Sequence, residues 1–141
     1  MNIYNIVPHT GDLRLKVESD SLSGLFQVAL TGMAEILKKD YKMMLNKHPF
    51  VREISISAQD ETALLIDFLS EVLTRSYIDK AVFFKSDFLV LEQTRLMAYI
   101  TGVKLNEEDK FDEDIKAVTY HEADIRRSDK GQYETMIVFD I

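Results

Sequence analysis

The predicted architecture depends on one segment near the N-terminus, Leu13-Arg14-Leu15-Lys16-Val17-Glu18-Ser19-Asp20-Ser21-Leu22. Its first half alternates strictly between apolar and charged residues, which is typical of a half-buried strand. From Leu22 to Leu37, apolar residues recur at three- and four-residue spacing, which predicts a long amphipathic helix with an N-cap at Ser21 or Ser23. A strand that passes directly into a helix, each with one apolar face, predicts a helix lying on a sheet.

The same order of strand and helix recurs in the middle of the chain. Alternation predicts a strand from Val51 to Ala58, and Asp60 is a suitable N-cap for a second amphipathic helix that reaches about Tyr77. The remaining sequence has almost no helical periodicity, and it predicts strands near Val82–Gln93, Leu96–Val103, Ile115–Arg127 and Tyr133–Ile141. A hairpin turn that contains a glycine, at 128–131, is predicted between the last two.

These elements predict an α+β fold. Specifically, we expect a two-layer sandwich in which both helices cover one face of a mixed, mostly antiparallel sheet. The 141 residues have the length of one ordinary domain and contain no linker, repeat or low-complexity segment. A single domain over residues 1–141 is therefore expected.

Composition and charge limit the classes of function. The net charge of −7 argues against direct, sequence-specific binding of nucleic acid, which needs a basic surface, and fits a basic partner better. The chain has no cysteine, so thiolate metal sites and thiol nucleophiles are excluded. No signal-like segment and no run of about 18 apolar residues is present, so we expect a cytoplasmic protein without a membrane partner.

The end of the chain carries an unusual pair of carboxylates. The strand-like run 134–139 is followed only by Asp140 and Ile141, although final residues normally fray unless something holds them. The Asp140 side chain and the α-carboxylate of Ile141 then lie about one residue apart, and they repel each other unless a cation or a basic group lies between them. The sequence therefore predicts a metal or a basic ligand here.

Asp12 has two interpretations. An aspartate after glycine at the start of a strand is commonly a turn or cap residue. Alternatively, Asp12 is a ligand of a hard cation, and together with Asp140 and the terminal carboxylate it forms an all-oxygen set suited to Ca²⁺, Mg²⁺ or Mn²⁺ rather than zinc. His9 and His121 are either hydrogen-bonded structural histidines or, if they converge on the aspartates, contacts to a metal or a phosphate.

Three other acidic features have mainly structural interpretations. Glu122 is expected to be a solvated strand residue, and Glu71, on the second helix, either faces the sheet or faces solvent. The acidic stretch 106–114 lacks the glycine and the closing glutamate of a calcium-binding EF-hand loop, so a solvated loop is expected. The sequence also has no phosphate-binding glycine loop, zinc-protease motif or nucleophile elbow, which argues against a self-sufficient enzyme.

Three separated motifs carry a family resemblance: His9-Thr10-Gly11-Asp12, Lys116-Ala117-Val118-Thr119-Tyr120-His121-Glu122 and Val138-Phe139-Asp140-Ile141. In this order, and in a chain of this length, they resemble the archease family. The helical segment from Leu64 to Leu73 is also similar to the family's second helix, so the resemblance covers essentially the whole chain. The chain departs from the family's common form at Gly11, where alanine is usual, at Phe68, where tryptophan is frequent, and in the acidic loop before Lys116.

The resemblance implies an archease-like fold and an accessory protein rather than a catalyst. Archeases assist the RNA-splicing ligase of tRNA splicing and RNA repair, which joins 2′,3′-cyclic-phosphate or 3′-phosphate ends to 5′-hydroxyl ends with GTP and Mn²⁺. They promote guanylylation of that ligase, support its multiple turnover and broaden its nucleotide use. The family's metal-binding aspartates match Asp12 and Asp140, with Ile141 nearby. His9, His121 and Glu71 are then candidates for contacts around the metal or with the partner.

Two alternatives remain open at this point. One is a chaperone-like modulator of a tRNA methyltransferase, for which an exposed apolar patch on the helices would be the distinguishing feature. The other is a small metal-dependent phosphoesterase centred on Asp12, Asp140 and His121.

Overall fold

The structure is a computed structural model that describes residues 2–9, 11–45 and 49–141. The helices are α1 (Leu22–Leu37), a short 3-10 helix (Tyr41–Met44) and α2 (Glu61–Asp79). The strands are β1 (Ile3–His9), β2 (Asp12–Ser19), β3 (Phe50–Ser57), β4 (Ala81–Leu91), β5 (Arg95–Lys104), β6 (Ala117–Thr119), β7 (Arg126–Arg127) and β8 (Tyr133–Asp140). The predicted α+β class is confirmed.

The strands form two sheets where the sequence predicted one. The larger sheet has the order β1-β2-β8-β6, with β7 also paired to β8, and the smaller sheet has the order β3-β5-β4. Every strand pairing between described residues is antiparallel. Strand β8 returns to pair with β2 from the other end of the chain, and such long-range pairing is set by packing rather than by local pattern.

Both helices contact both sheets. Helix α1 packs against β2 of the larger sheet and β4 of the smaller one, and α2 packs against β3, β4 and β6. Their N-caps are as predicted, because the side chains of Ser21 and Asp60 accept hydrogen bonds from Gly24 N at 3.0 Å and Ala63 N at 2.8 Å. One hydrophobic cluster joins the elements, with fully buried Phe26 on α1 and Phe68 on α2 in ring contact at 5.8 Å.

Two parts of the strand assignment need correction. Strand β1 was not predicted, because it is an edge strand whose outward residues are exposed and which contains a proline, as edge strands tolerate. The predicted strand Ile115–Arg127 is wrong. It consists of the short strands β6 and β7, separated by a turn in which Ala123 N donates to Tyr120 O at 3.1 Å. The predicted hairpin turn is confirmed, with Gly131 at φ +77°.

The outer edge of β4 is occupied by a side chain from α1. Gln27 Nε2 donates to Phe84 O at 2.9 Å, and Gln27 Oε1 accepts from Ser86 N at 2.7 Å. These contacts lie at the irregularity between Phe83 and Lys85, where the pairing of β4 with β5 shifts register. The glutamine thus satisfies backbone groups that a neighbouring strand would otherwise satisfy.

The acidic stretch 106–114 is more closely attached to the fold than a solvated loop. Asp112 Oδ2 accepts from Lys39 N at 2.7 Å, and Asp112 N donates to Leu37 O at 2.8 Å, just at the C-terminal end of α1. Phe111 packs edge-on against Tyr77 of α2 at 5.3 Å. In the part of the chain that the structure describes, no helix is long and apolar enough to cross a membrane.

Candidate functional site

Asp12 and Asp140 lie directly opposite each other on β2 and β8. Along β2, Leu13, Leu15 and Val17 point toward the core, so the alternating residues Asp12, Arg14 and Lys16 lie on the outer face of the larger sheet. Opposite residues of an antiparallel pair have Cβ atoms about 4.5–5.5 Å apart. The two carboxylates that the sequence predicted as cation ligands therefore share one position at the end of the sheet.

Neighbouring strands fix both aspartates from the sides. Asp140 pairs with Ala117 of β6, and Lys116 N donates to Asp140 O at 2.7 Å. Asp12 pairs with His9 across a two-residue connection, in which Thr10 lies outside the described residues and Gly11 adopts φ +79°. That left-handed conformation favours glycine, so Gly11 suits the tight return from β1 to β2.

The Asp12 carboxylate has basic neighbours but lacks a hydrogen bond at one oxygen. His9 Nδ1 and Arg14 Nε lie 3.4 Å and 3.6 Å from Asp12 Oδ1. These are ion-pair distances, and neither contact has the geometry of a hydrogen bond, so Asp12 Oδ1 and Arg14 Nε are both buried without a hydrogen-bond partner. Asp12 Oδ1 thus faces two basic groups and still has room for a closer positive partner, such as a cation.

Arg14 is held from its other side by Glu122. Arg14 Nη1 lies 2.5 Å from Glu122 Oε2. Glu122 does not belong to a strand, as the sequence suggested, but to the turn between β6 and β7, where its φ is +62°. The sequence did not predict this ion pair, because its only signal there is that Arg14 occupies an outward-facing position in the alternating strand β2.

Three hydrogen bonds tie the turn that carries Glu122 to α2 and β8. The hydroxyl of Tyr120 donates to Asp67 on α2, and this hydrogen bond raises the pKa of Tyr120. The backbone N–H of Asp124 donates to Thr135 Oγ1 at 2.9 Å, and that of Ile125 donates to Thr62 Oγ1 at 3.0 Å. The positions of Glu122 and its neighbours are therefore fixed by side chains distant in sequence.

A surface pocket of about 270 Å³ opens over the two aspartates. It is lined by Gly11, Asp12, Thr119, His121, Val138 and Asp140. His121 thus lies at the aspartate pair, with its backbone N–H 3.3 Å from Thr119 Oγ1. His9 is also close, through its contact with Asp12. Both histidines are exposed.

Two further predicted residues have different surroundings. Ile141, which follows β8, is half-buried and is held by packing against the main hydrophobic cluster. Glu71 does not line the pocket over the aspartates, and its Oε1 accepts from Arg75 Nε at 3.1 Å on the surface of α2.

The residues fit a hard cation in part. Two carboxylates, one of them with a buried unsatisfied oxygen, are the kind of ligand that Ca²⁺, Mg²⁺ and Mn²⁺ prefer. Across residues 2–9, 11–45 and 49–141, however, no three His, Asp or Glu side chains form a group that could hold a metal ion. A cation at Asp12 and Asp140 would need further oxygen ligands.

The fold and this site define a small α+β protein with a carboxylate pair on the open face of an antiparallel sheet. Residues 4–141 match the model of the Archease protein family, and the chain belongs to this family. It is 31% identical to Protein archease of Pyrococcus abyssi, over 94% of each chain, and 26% identical to Protein archease of Methanosarcina mazei, over 98% of this chain and 95% of that one.

Two solved structures share the fold. Protein 1598 of Methanobacterium thermoautotrophicum superposes with a TM-score of 0.76 at 22% identity, covering 98% of both chains. An archease and possible chaperone from Thermotoga maritima superposes with a TM-score of 0.63 at 18% identity, covering 100% of this chain and 99% of that one. These matches agree with the α+β architecture of two helices and antiparallel sheets.

Proposed function

We propose that this chain is a non-catalytic activator of the GTP- and Mn²⁺-dependent RNA-splicing ligase of tRNA splicing and RNA repair. It would promote guanylylation of the ligase and its multiple turnover. The observation that carries the proposal is the placement of Asp12 opposite Asp140 on an open sheet face, in a chain of the archease family.

In this proposal, Asp12, Asp140 and the Ile141 carboxylate hold a divalent cation, with Ca²⁺, Mg²⁺ and Mn²⁺ as candidates. The bound cation would supply positive charge to phosphate oxygens of the ligase's nucleotide. The chain's own residues would fix the donors. Pairing with β1 orients Asp12, and pairing with β6 orients Asp140. The Ile141 side chain packs against the core, which would hold the Ile141 carboxylate close to Asp140. His121, at the rim of the pocket, would contact the partner.

The test is a guanylylation assay of the RNA-splicing ligase from the same organism, with and without this chain. The isosteric variants Asp12→Asn and Asp140→Asn should each abolish the stimulation. Asp87→Asn is a matched control, because Asp87 is an exposed carboxylate on the smaller sheet that pairs with Lys85 at 3.9 Å. Full stimulation by both site variants would contradict the proposed mechanism.

The phosphoesterase and the methyltransferase-partner hypotheses predict different activities. A phosphoesterase would hydrolyse phosphate esters without a partner, and we expect none of this activity in the purified chain. A chaperone-like partner of a tRNA methyltransferase would use an apolar patch on the helices. On α1 and α2, Tyr77 and Ile78 are the exposed large apolar side chains, and they lie together at the end of α2. Stimulation of a methyltransferase that is lost in Ile78→Ser but kept in Asp140→Asn would support that alternative.

A further inference from the structure

The guanidinium of Arg14 lies between two carboxylates and is closer to that of Glu122 than to that of Asp12. Its Nη1 is 2.5 Å from Glu122 Oε2, whereas its Nε is 3.6 Å from Asp12 Oδ1. The first distance is that of a close ion pair, and the second, between Nε and Oδ1, is longer than a hydrogen bond. Arg14 therefore forms a close ion pair with Glu122 and a longer one with Asp12.

Two atoms without hydrogen-bond partners show that Arg14 and Asp12 do not bond to each other. Arg14 Nε and Asp12 Oδ1 are both buried, and both lack a hydrogen-bond partner. A guanidinium and a carboxylate readily form two parallel hydrogen bonds when two N–H groups of the guanidinium can face both carboxylate oxygens. Arg14 Nε and Asp12 Oδ1 could satisfy each other and are neighbours on one strand face, yet they lie 3.6 Å apart while the guanidinium is ion-paired with Glu122.

Glu122 can hold Arg14 because the turn that carries Glu122 is fastened to α2 and β8. Its turn is fastened by the hydrogen bonds of Asp124 N to Thr135 and of Ile125 N to Thr62. Its own backbone has a positive φ of 62°, a conformation set by this surrounding structure. The anchor of the guanidinium thus belongs to a different strand connection from the aspartate pair.

We propose that Glu122 is a positioning residue that keeps Arg14 from closing onto Asp12 and so leaves the carboxylate pair open to a divalent cation. This inference rests on the proposed cation site. Arg14 and the cation compete for the same carboxylate, since each brings positive charge to Asp12 Oδ1. Glu122 shifts that competition toward the cation by supplying Arg14 with another carboxylate.

The proposal predicts opposite effects for the two partners. Arg14→Gln removes the competing charge, and its affinity for Ca²⁺ or Mn²⁺ should be about tenfold higher. Glu122→Gln has the same size and keeps the turn, but it releases Arg14 toward Asp12, so its cation affinity should be about tenfold lower. The double variant should bind like Arg14→Gln alone, because Glu122 acts through Arg14.

The measurement is calorimetric titration of the purified chain with Ca²⁺ and with Mn²⁺, without any ligase. Arg126→Gln and Asp124→Asn are matched controls, because this exposed ion pair, at 2.6 Å, belongs to the same connection. Arg126 is opposite Glu134, six residues along β8 from Asp140 and thus roughly 20 Å away. Both control variants should bind the cation like the unchanged chain.

The outcomes separate this inference from the proposed function. If Glu122→Gln weakens binding equally with and without Arg14, Glu122 acts by its own charge and the inference is overturned. Unchanged binding in Glu122→Gln also overturns it. If Asp12→Asn binds the cation as tightly as the unchanged chain, the cation site itself is wrong, and the inference falls with it. Glu122→Asp, which keeps the charge but shortens the reach to Arg14, should repeat the weakening if the inference holds.

Discussion

Asp12 and Asp140 place two like charges at one position of the larger sheet, with unequal compensation. Asp12 has His9 and Arg14 within 3.6 Å of its Oδ1 atom, while Asp140 is exposed at the edge of the pocket. Like charges directly opposite each other destabilise a pair of strands. The two opposed carboxylates therefore lower the stability of the strand pair. An uncharged residue at either position would avoid this cost, so the pair is what we expect of a site that serves binding rather than stability.

Asp140→Asn should stabilise the chain in the absence of divalent cations. The gain should be about 0.5 kcal/mol at low salt and smaller at high salt, because it comes from relief of repulsion. In the presence of Ca²⁺ or Mn²⁺ the order should reverse, since the unchanged chain gains binding free energy and the variant does not. Urea unfolding with and without the cation measures both effects. A loss of stability in the cation-free variant would contradict the repulsion argument.

Tyr120→Phe should loosen the turn between β6 and β7 without unfolding the chain. It removes the hydrogen bond from the Tyr120 hydroxyl to Asp67, which contributes about 1 kcal/mol or less at this exposed position. Amide hydrogen exchange of Ala123, Asp124 and Ile125 should become faster. Tyr99→Phe, at an exposed tyrosine on β5, is the control and should leave these amides unchanged. Equal exchange in both variants would show that Thr62 and Thr135 hold the turn unaided.

The stability of the chain should fall between pH about 10 and about 12 in part because of Tyr4. Burial, together with the hydrogen bond from its hydroxyl to Glu35 Oε1 at 2.9 Å, raises the pKa of Tyr4 to about 12. Below the ordinary pKa of about 10 the hydroxyl is protonated in both states, so its contribution is complete. Above it, the unfolded chain loses the proton first, and the contribution is lost as the pH approaches the folded pKa.

Tyr4→Phe should therefore show a weaker loss of stability over that alkaline range than the unchanged chain. Tyr41 and Tyr77 also have raised pKa values, mainly through burial, so part of the pH dependence should remain. Urea unfolding at a series of pH values, with tyrosinate absorbance followed in parallel, measures the difference. An unchanged pH dependence in Tyr4→Phe would contradict the assignment to Tyr4.

Gly11→Ala should cost about 1–2 kcal/mol, because alanine is strained at φ +79°. A Cβ atom at this position meets no atom of the described structure within 4 Å, so the cost comes from the backbone alone. Gly131→Ala is a matched control, with φ +77° and equally open surroundings in the turn between β7 and β8. The two variants should lose similar stability by urea unfolding, and a clearly larger loss in one of them would show that more than backbone strain is involved.

Regular elements with a strong local pattern were predictable from the sequence. Strand β2, helix α1 with its Ser21 cap and helix α2 with its Asp60 cap agree closely with expectation, because apolar spacing and capping chemistry are local signals. The family motifs also led to the two aspartates that the structure places side by side. These features needed no knowledge of which strands pair.

Features that depend on distant contacts were not predictable. The division into two sheets follows from strand pairing across the whole chain. The turn around Glu122 is held by Thr135 and Thr62, which are 11 and 63 residues from the backbone groups that they bind. The approach of Arg14 to Glu122 exists only once that turn has formed. A pattern-based assignment therefore extended one strand through 115–127, where tertiary contacts impose a positive φ.

The contact of Gln27 with β4 has a consequence for how this protein behaves at high concentration. An edge strand with free N–H and C=O groups can recruit a strand from another molecule, which is a route to aggregation. Gln27 occupies the groups of Phe84 and Ser86 in the middle of that edge, so a foreign strand cannot pair continuously along β4. One amide side chain from a helix thus protects the smaller sheet from intermolecular extension on this side, and Gln27→Ala should make the protein more prone to self-association.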